Sequence, residues 1–176
     1  MAIKNMQSVK AVAESNHIAA VKTGQIYSQY GLAGAVTELE NGMLVVVDHV
    51  GKQIKKPAAI TDVCHLHLSV IKEYEGKGGK YFSVKQGEFA PRVYKLHLGD
   101  IFETNAVLYD DAVYANPTAI GAAINATTVY GIPDVSGNIK VVATLGGTEK
   151  TALKAVELVS LPNGETGIKW VCILNG

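Results

Sequence analysis

Apolar and polar positions alternate most cleanly at residues 63–70, Val-Cys-His-Leu-His-Leu-Ser-Val. On a strand, Cys64, Leu66, Leu68 and Val70 share one face, and His65, His67 and Ser69 share the other. The pattern predicts a half-buried strand with its histidines turned outward. Further apolar runs predict strands at 43–48, 81–84, 93–98, 101–104 and 138–144. The turn signal Asn41-Gly42 precedes the first of these and predicts a hairpin. Gly51 closes that strand, and Lys52 to Ala59 reads as a connection, with Pro57 barring a helix. Gly76 to Gly79 reads as a loop tip and Gly99-Asp100 as a turn. The clearest unit is C-terminal: strands at 151–161 and 167–174, joined by Pro162-Asn163-Gly164-Glu165-Thr166. Trp170, the only tryptophan, lies within the last strand and is expected to anchor a core or an interface.

Helical signals are few. Asn116-Pro117 has the cap-then-proline order of a helix start, and 118–126 is small and Ala-rich but contains Gly121. A two-turn helix and an irregular loop both fit, and Gly131 and Pro133 are expected to end the region. Residues 1–24 carry Met6, Val9 and Val12 at helical spacing, yet their apolar side is thin. A short helix and an extended arm both fit there. Gly31 and Gly34 then make a flexible passage. The fold expected is mainly β, a sandwich or barrel-like antiparallel domain with at most one or two short helices. Residues 1–35 form an arm or short helix plus linker, and 36–176 the β-rich domain.

Composition narrows the functional classes. The chain has 176 residues, 48% of them hydrophobic, and zero formal net charge. That balance gives no basic surface for nucleic acid. Lys52, Lys55 and Lys56 read as a solvated loop. No apolar run has the length of an export signal or a membrane span, so the protein is expected to be made without export. The sequon Asn125-Ala126-Thr127 would then be idle. Cys64 and Cys172 lie among apolar residues and read as buried free thiols.

The chemistry-bearing residues form one candidate cluster. His65 and His67 stand two apart on one strand face, so both could point at one ion. His97 could join from a paired strand, and Asp62 or His49 from a loop. Polar residues alternating on a solvent-facing strand look the same and need no metal. Other catalytic patterns are missing. There is no Gly-x-Ser-x-Gly elbow and no Gly-x-Gly-x-x-Gly turn. Asp110 and Asp111 are neighbours and would point apart on a strand. Tyr74, Lys77, Lys80, Tyr81, Phe82 and Lys85 come nearest to a base-stacking platform but make a sparse one. No cofactor is expected. Tyr27 and Tyr30, with Leu32 and Met43, read instead as contact residues of an interface.

Three phrases carry a family resemblance: KNMQSVKAVAESNHI at the start, LENGMLVVVD in the middle, and PRVYKLHLGDIFETNAV. Together they cover about a quarter of the chain, and the order of features resembles the small structural proteins of tailed bacteriophages. An arm followed by a Leu-Glu-Asn-Gly turn into an apolar strand is similar to capsid decoration proteins. The resemblance implies a non-enzymatic protein on the virion surface, made in the host cytoplasm. Its partners would be the major capsid protein and further copies of itself, for example as trimers. It implies neither a membrane nor a specific nucleic acid as partner. A tail-tube or head–tail connection protein is the rival within virions. A metal-dependent enzyme built on the strand histidines is the rival outside them.

Overall fold

The structure is a computed structural model that describes residues 2–15, 18, 25–69 and 82–176. It is mainly β and sandwich-like, with one helix among the described residues. The strands are β1 Ile3–Asn5, β2 Ala13–Glu14, β3 Ile26–Tyr27, β4 Gly31–Leu32, β5 Glu38–Leu39, β6 Leu44–Asp48, β7 Gln53–Lys55 and β8 His65–His67. There follow β9 Val84–Lys85, β10 Val93–Tyr94, β11 Ile101–Thr104, β12 Val107–Asp110, helix α1 Pro117–Ala126, β13 Tyr130–Pro133, β14 Ile139–Val142, β15 Thr151–Ser160 and β16 Thr166–Asn175.

Two large sheets dominate. One has eight strands in the order β1-β12-β14-β13-β15-β16-β11-β2, the other six in the order β3-β10-β8-β6-β7-β4. β5 and β9 make a separate pair. Most pairings are antiparallel, but β12–β14 and β4–β7 are parallel. The main core joins the sheets: Leu44, Leu66 and Tyr94 from the six-stranded sheet meet Phe102, Ile139, Leu153, Ile168 and Trp170 from the eight-stranded one. A second core covers the opposite face of the six-stranded sheet, built from Val45, Val93, Ile54, Met43, Leu39, Val36 and Ala11. The alternation Leu44/Val45 and Val93/Tyr94 thus serves both faces, one residue to each core.

This double covering corrects the reading of residues 63–70. β8 spans only His65–His67, and all three of its residues are buried. The histidine side faces no solvent, because β8 lies inside the sheet with β10 and β6 as neighbours. Val70 lies outside the described residues, as do the 76–79 loop and Tyr74, Lys77, Lys80 and Tyr81.

Three turn readings also change. Asn41-Gly42 is a turn, with Gly42 at φ +87°, but not a hairpin. β5 before it pairs with β9, and β6 after it pairs with β7 and β8. The connection 52–59 contains β7, because Ile54 inserts into the second core while Gln53 and Lys55 remain half-buried. Gly131 and Pro133 do not end an element; they lie within β13. A Cβ on Gly131 would come 2.8 Å from the Trp170 ring, so this glycine admits an indole against the strand.

Helix α1 begins as its sequence predicts. The Asn116 side chain accepts from the Ala119 N–H, Pro117 follows, and Ile120 enters the main core. It runs ten residues through Gly121, whose missing side chain makes room for Leu158 of β15. The described residues of the N-terminal segment are extended. β1 pairs with β12 and β2 with β11, at the two outer edges of the eight-stranded sheet. Residues 2–15 therefore run across the molecule as a strap.

Candidate functional site

The polar groups converge on Glu40, Asn41 and Gly42. Glu40 is buried, and its carboxylate accepts from the Gln7 side chain at 2.7 Å and the Ala11 N–H at 2.7 Å. Lys10 Nζ lies 3.1 Å from Glu40 and 2.6 Å from Glu38. The Lys10 ammonium holds the Glu38 carboxyl below the usual carboxylate range. Three successive groups of the strap thus end on one turn. Beyond them, Asn105 accepts from the Val12 N–H at 2.6 Å and donates to Glu165 at 2.5 Å. Glu165 also accepts from Ser8.

Asn41 fastens the turn to β8 and its extension. Its side-chain oxygen accepts from Ser69 N at 2.8 Å, and its amide donates to Ser69 O at 3.3 Å. The side chain imitates a paired strand residue. Gly42 N donates to His67 O, and His67 N to Met43 O. A Cβ on Gly42 would sit 1.9 Å from Thr104 Oγ1, so only glycine fits.

Within this junction lies an arrangement the sequence reading missed. His67 Nδ1 is 2.8 Å from the Glu40 carbonyl, and Nε2 is 2.8 Å from Ser69 Oγ. A carbonyl only accepts, so Nδ1 carries the proton and Nε2 accepts from the serine hydroxyl. The geometry is that of a serine and its general base. The environment is not. Ser69 and His67 are both buried, Arg92 N also donates to Ser69 Oγ, and burial lowers the imidazole pKa to about 4, too weak for a base at neutral pH. The relay pins β8 to the β5–β6 turn. The one sequence signal for it was the Ser69 two residues beyond His67 on the same face.

The candidate metal ligands do not assemble. Among the described residues, no group of three or more His, Cys, Asp or Glu side chains is placed to hold an ion. Both His67 nitrogens are already engaged. His65 instead stacks on Tyr27, with ring centroids 5.8 Å apart. His97 sits by Asp100, Nδ1 to Oδ2 3.7 Å. Asp62 caps its own loop, accepting from Ala58 N and Ala59 N. His49 lies edge-on to both Tyr27 and Tyr30. Of the expected interface residues, Tyr27, Tyr30 and Leu32 are half-buried against the second core. Met43 is only 6% exposed and belongs to that core, which leaves it no surface to offer a partner.

The thiols follow expectation: both are free and buried. Burial pushes Cys64 up to about 12 and Cys172 up to about 11, so neither is a thiolate at neutral pH. Asp110 serves its turn, accepting from Ala112 N, and Asp111 holds the strap's start by accepting from Ala2 N. A groove of about 500 Å³ runs between Val36, Gln53, Lys55, Lys56 and Val135. Of its lysines, Lys55 is turned toward Asp48, 2.5 Å away. No helix among the described residues is long and apolar enough to cross a membrane. No family model, curated protein or solved structure matches the chain.

Proposed function

We propose that this chain is a non-enzymatic structural protein of a tailed-phage virion: a capsid decoration protein that binds and stabilises the assembled head. One observation carries the non-enzymatic part. The polar side chains with the most reactive geometry, Glu40, His67 and Ser69, are buried and bonded into the joint between strap and sheets. The phage assignment rests on the three phrases LENGMLVVVD, KNMQSVKAVAESNHI and PRVYKLHLGDIFETNAV. Exposed apolar side chains at turns, Val50 at 96% and Leu98 at 70%, suit contacts with a neighbouring protein. The partners are the major capsid protein and further copies of the chain, at the virion surface. Many weak contacts, multiplied by the symmetry of the head, would supply the stabilisation.

The test is to mix purified protein with undecorated, expanded phage heads. Saturable binding at a symmetric stoichiometry is expected. Failure to bind heads, with polymerisation into tubes, would favour a tail-tube protein instead. Stoichiometric zinc or iron in the purified protein, lost on substituting His65 and His67, would favour the enzyme.

A further inference from the structure

Four rings form a ladder on the second face of the six-stranded sheet. Tyr30 Oη lies 3.4 Å from His49 Nδ1, with the ring centroids 5.7 Å apart. His49 meets Tyr27 edge-on at 5.5 Å, and Tyr27 stacks on His65 at 5.8 Å with 19° between the planes. The ladder ties three separate pieces together: Tyr27 comes from β3, His49 from the β6–β7 tip, and His65 from β8. We propose that this ladder is an acid-released joint, in which protonation of His65 separates its ring from Tyr27 and frees the β3 edge from the sheet.

The surroundings of His65 disfavour its protonation in the closed ladder. The side chain is 8% exposed, and its Nδ1 is buried with no hydrogen-bond partner. The Cys64 backbone is the one group that favours a proton on the ring, and it does not offset the burial. Among the described residues, the groups whose charge bears on the ring are basic. Lys95 comes from the chain just past β10, His97 from the turn beyond it, and His49 from the β6–β7 tip. Tyr27 faces it from β3, and uncharged Val45 lies opposite on β6. The nearby carboxylates are committed elsewhere. Asp48 accepts within its own turn from Val50 N, Gly51 N and Gln53, and pairs with Lys55. Asp100 accepts from His97 N and Gln25. Asp62 caps its own loop. Burial first, opposed in part by the Cys64 backbone and reinforced by Lys95 and the two nearby imidazoles, holds His65 down at about 4.

β3 is the element able to leave. It has two residues and, among the described residues, sits at a sheet edge and pairs only with β10. Beyond that pairing, Gln25 adds side-chain bonds to Lys95 O and Asp100, and its carbonyl accepts from Lys95 N. Short edge elements with few bonds open at the low end of the stability range. Trp170 lies in the other core and serves as an internal reference.

The test is side-chain and amide NMR of the full chain from pH 7.5 to 4. The wild type is expected to lose the native shifts of the Tyr27 ring and the Ile26 and Tyr27 amides. The loss should be one reversible step between pH 6.5 and 4, with the Trp170 indole unmoved. H65F keeps a flat ring without a titrating nitrogen and is expected to abolish the step. H65Q, also non-titrating in this range, is expected to do the same and serves if H65F does not fold. The proposal is overturned if the wild type shows no step, if the step survives in H65F or H65Q, or if Trp170 moves together with Tyr27. None of these outcomes depends on whether the protein binds phage heads.

Discussion

The two ends of the chain are attached in opposite ways. The C-terminal hairpin β15–β16 has ten residues per strand and lies inside the eight-stranded sheet. It places Leu153, Ala155, Ile168, Trp170 and Cys172 in the main core. The N-terminal strap contributes three residues in β1 and two in β2, at the outermost positions of the same sheet. Its hold comes from Glu40, Glu38, Asn105, Asp111 and Glu165, reached across 28 to 157 residues of sequence. Local apolar pairing secures one end, and distant hydrogen bonds to Asn105 and four carboxylates secure the other. The first kind resists acid; the second depends on ionised carboxylates.

The comparison is broken most severely from the hairpin side. W170A removes a fully buried indole and is expected to destabilise the chain by about 3–5 kcal/mol, read as a lower urea midpoint. Acidification comes next. His65 and His67 have pKa values lowered from 6.5 to about 4, so the unfolded chain binds their protons first as pH falls. Stability should be full above pH 6.5 and decline between about 6.5 and 4, by up to about 3 kcal/mol per ring. Glu38, also lowered, adds a further loss only as pH falls below its unfolded value of 4.5. A urea midpoint independent of pH between 7 and 4 would contradict both shifts.

G42A attacks the junction itself, by forcing a side chain into a positive φ and against Thr104. A loss of about 1–3 kcal/mol is expected in the same urea titration. The smallest effect should come from K169M on the hairpin's outer face, where Lys169 meets Glu157 and Glu103. Glu157 is exposed while Lys169 and Glu103 are half-buried, so the loss read from the urea midpoint should be small and below that of G42A.

The hairpin was legible because its signals are local. Apolar runs, the Pro162-to-Thr166 turn and the single tryptophan all fall within 25 residues. The cap of α1 was legible for the same reason. The strap was not, since nothing near Gln7, Lys10 or Ala11 announces that Glu40 will accept from them. The histidine face of β8 was misread because alternation marks two faces without saying that both are covered. Here the second core lies over the polar one. Gly131 was read as a breaker when its role is to admit Trp170, a contact made 39 residues away. The candidate site fared likewise. His65 and His67 do share a face, but what their rings meet is set by Tyr27 from β3, the Glu40 carbonyl from the β5–β6 turn, and Ser69.

The central structural claim is that the Glu40–Asn41–Gly42 turn holds the strap onto the two sheets. Amide hydrogen exchange on E40A, beside the wild type, tests it most directly. The substitution leaves the buried Ala11 N–H unpaired, at about 1–3 kcal/mol, takes the acceptor from half-buried Gln7, and leaves Lys10 with Glu38 alone. The account predicts that exchange quickens at residues 3–13 while β15 and β16 keep wild-type protection. Unchanged protection of the strap, or equal loss across strap and hairpin, would contradict it.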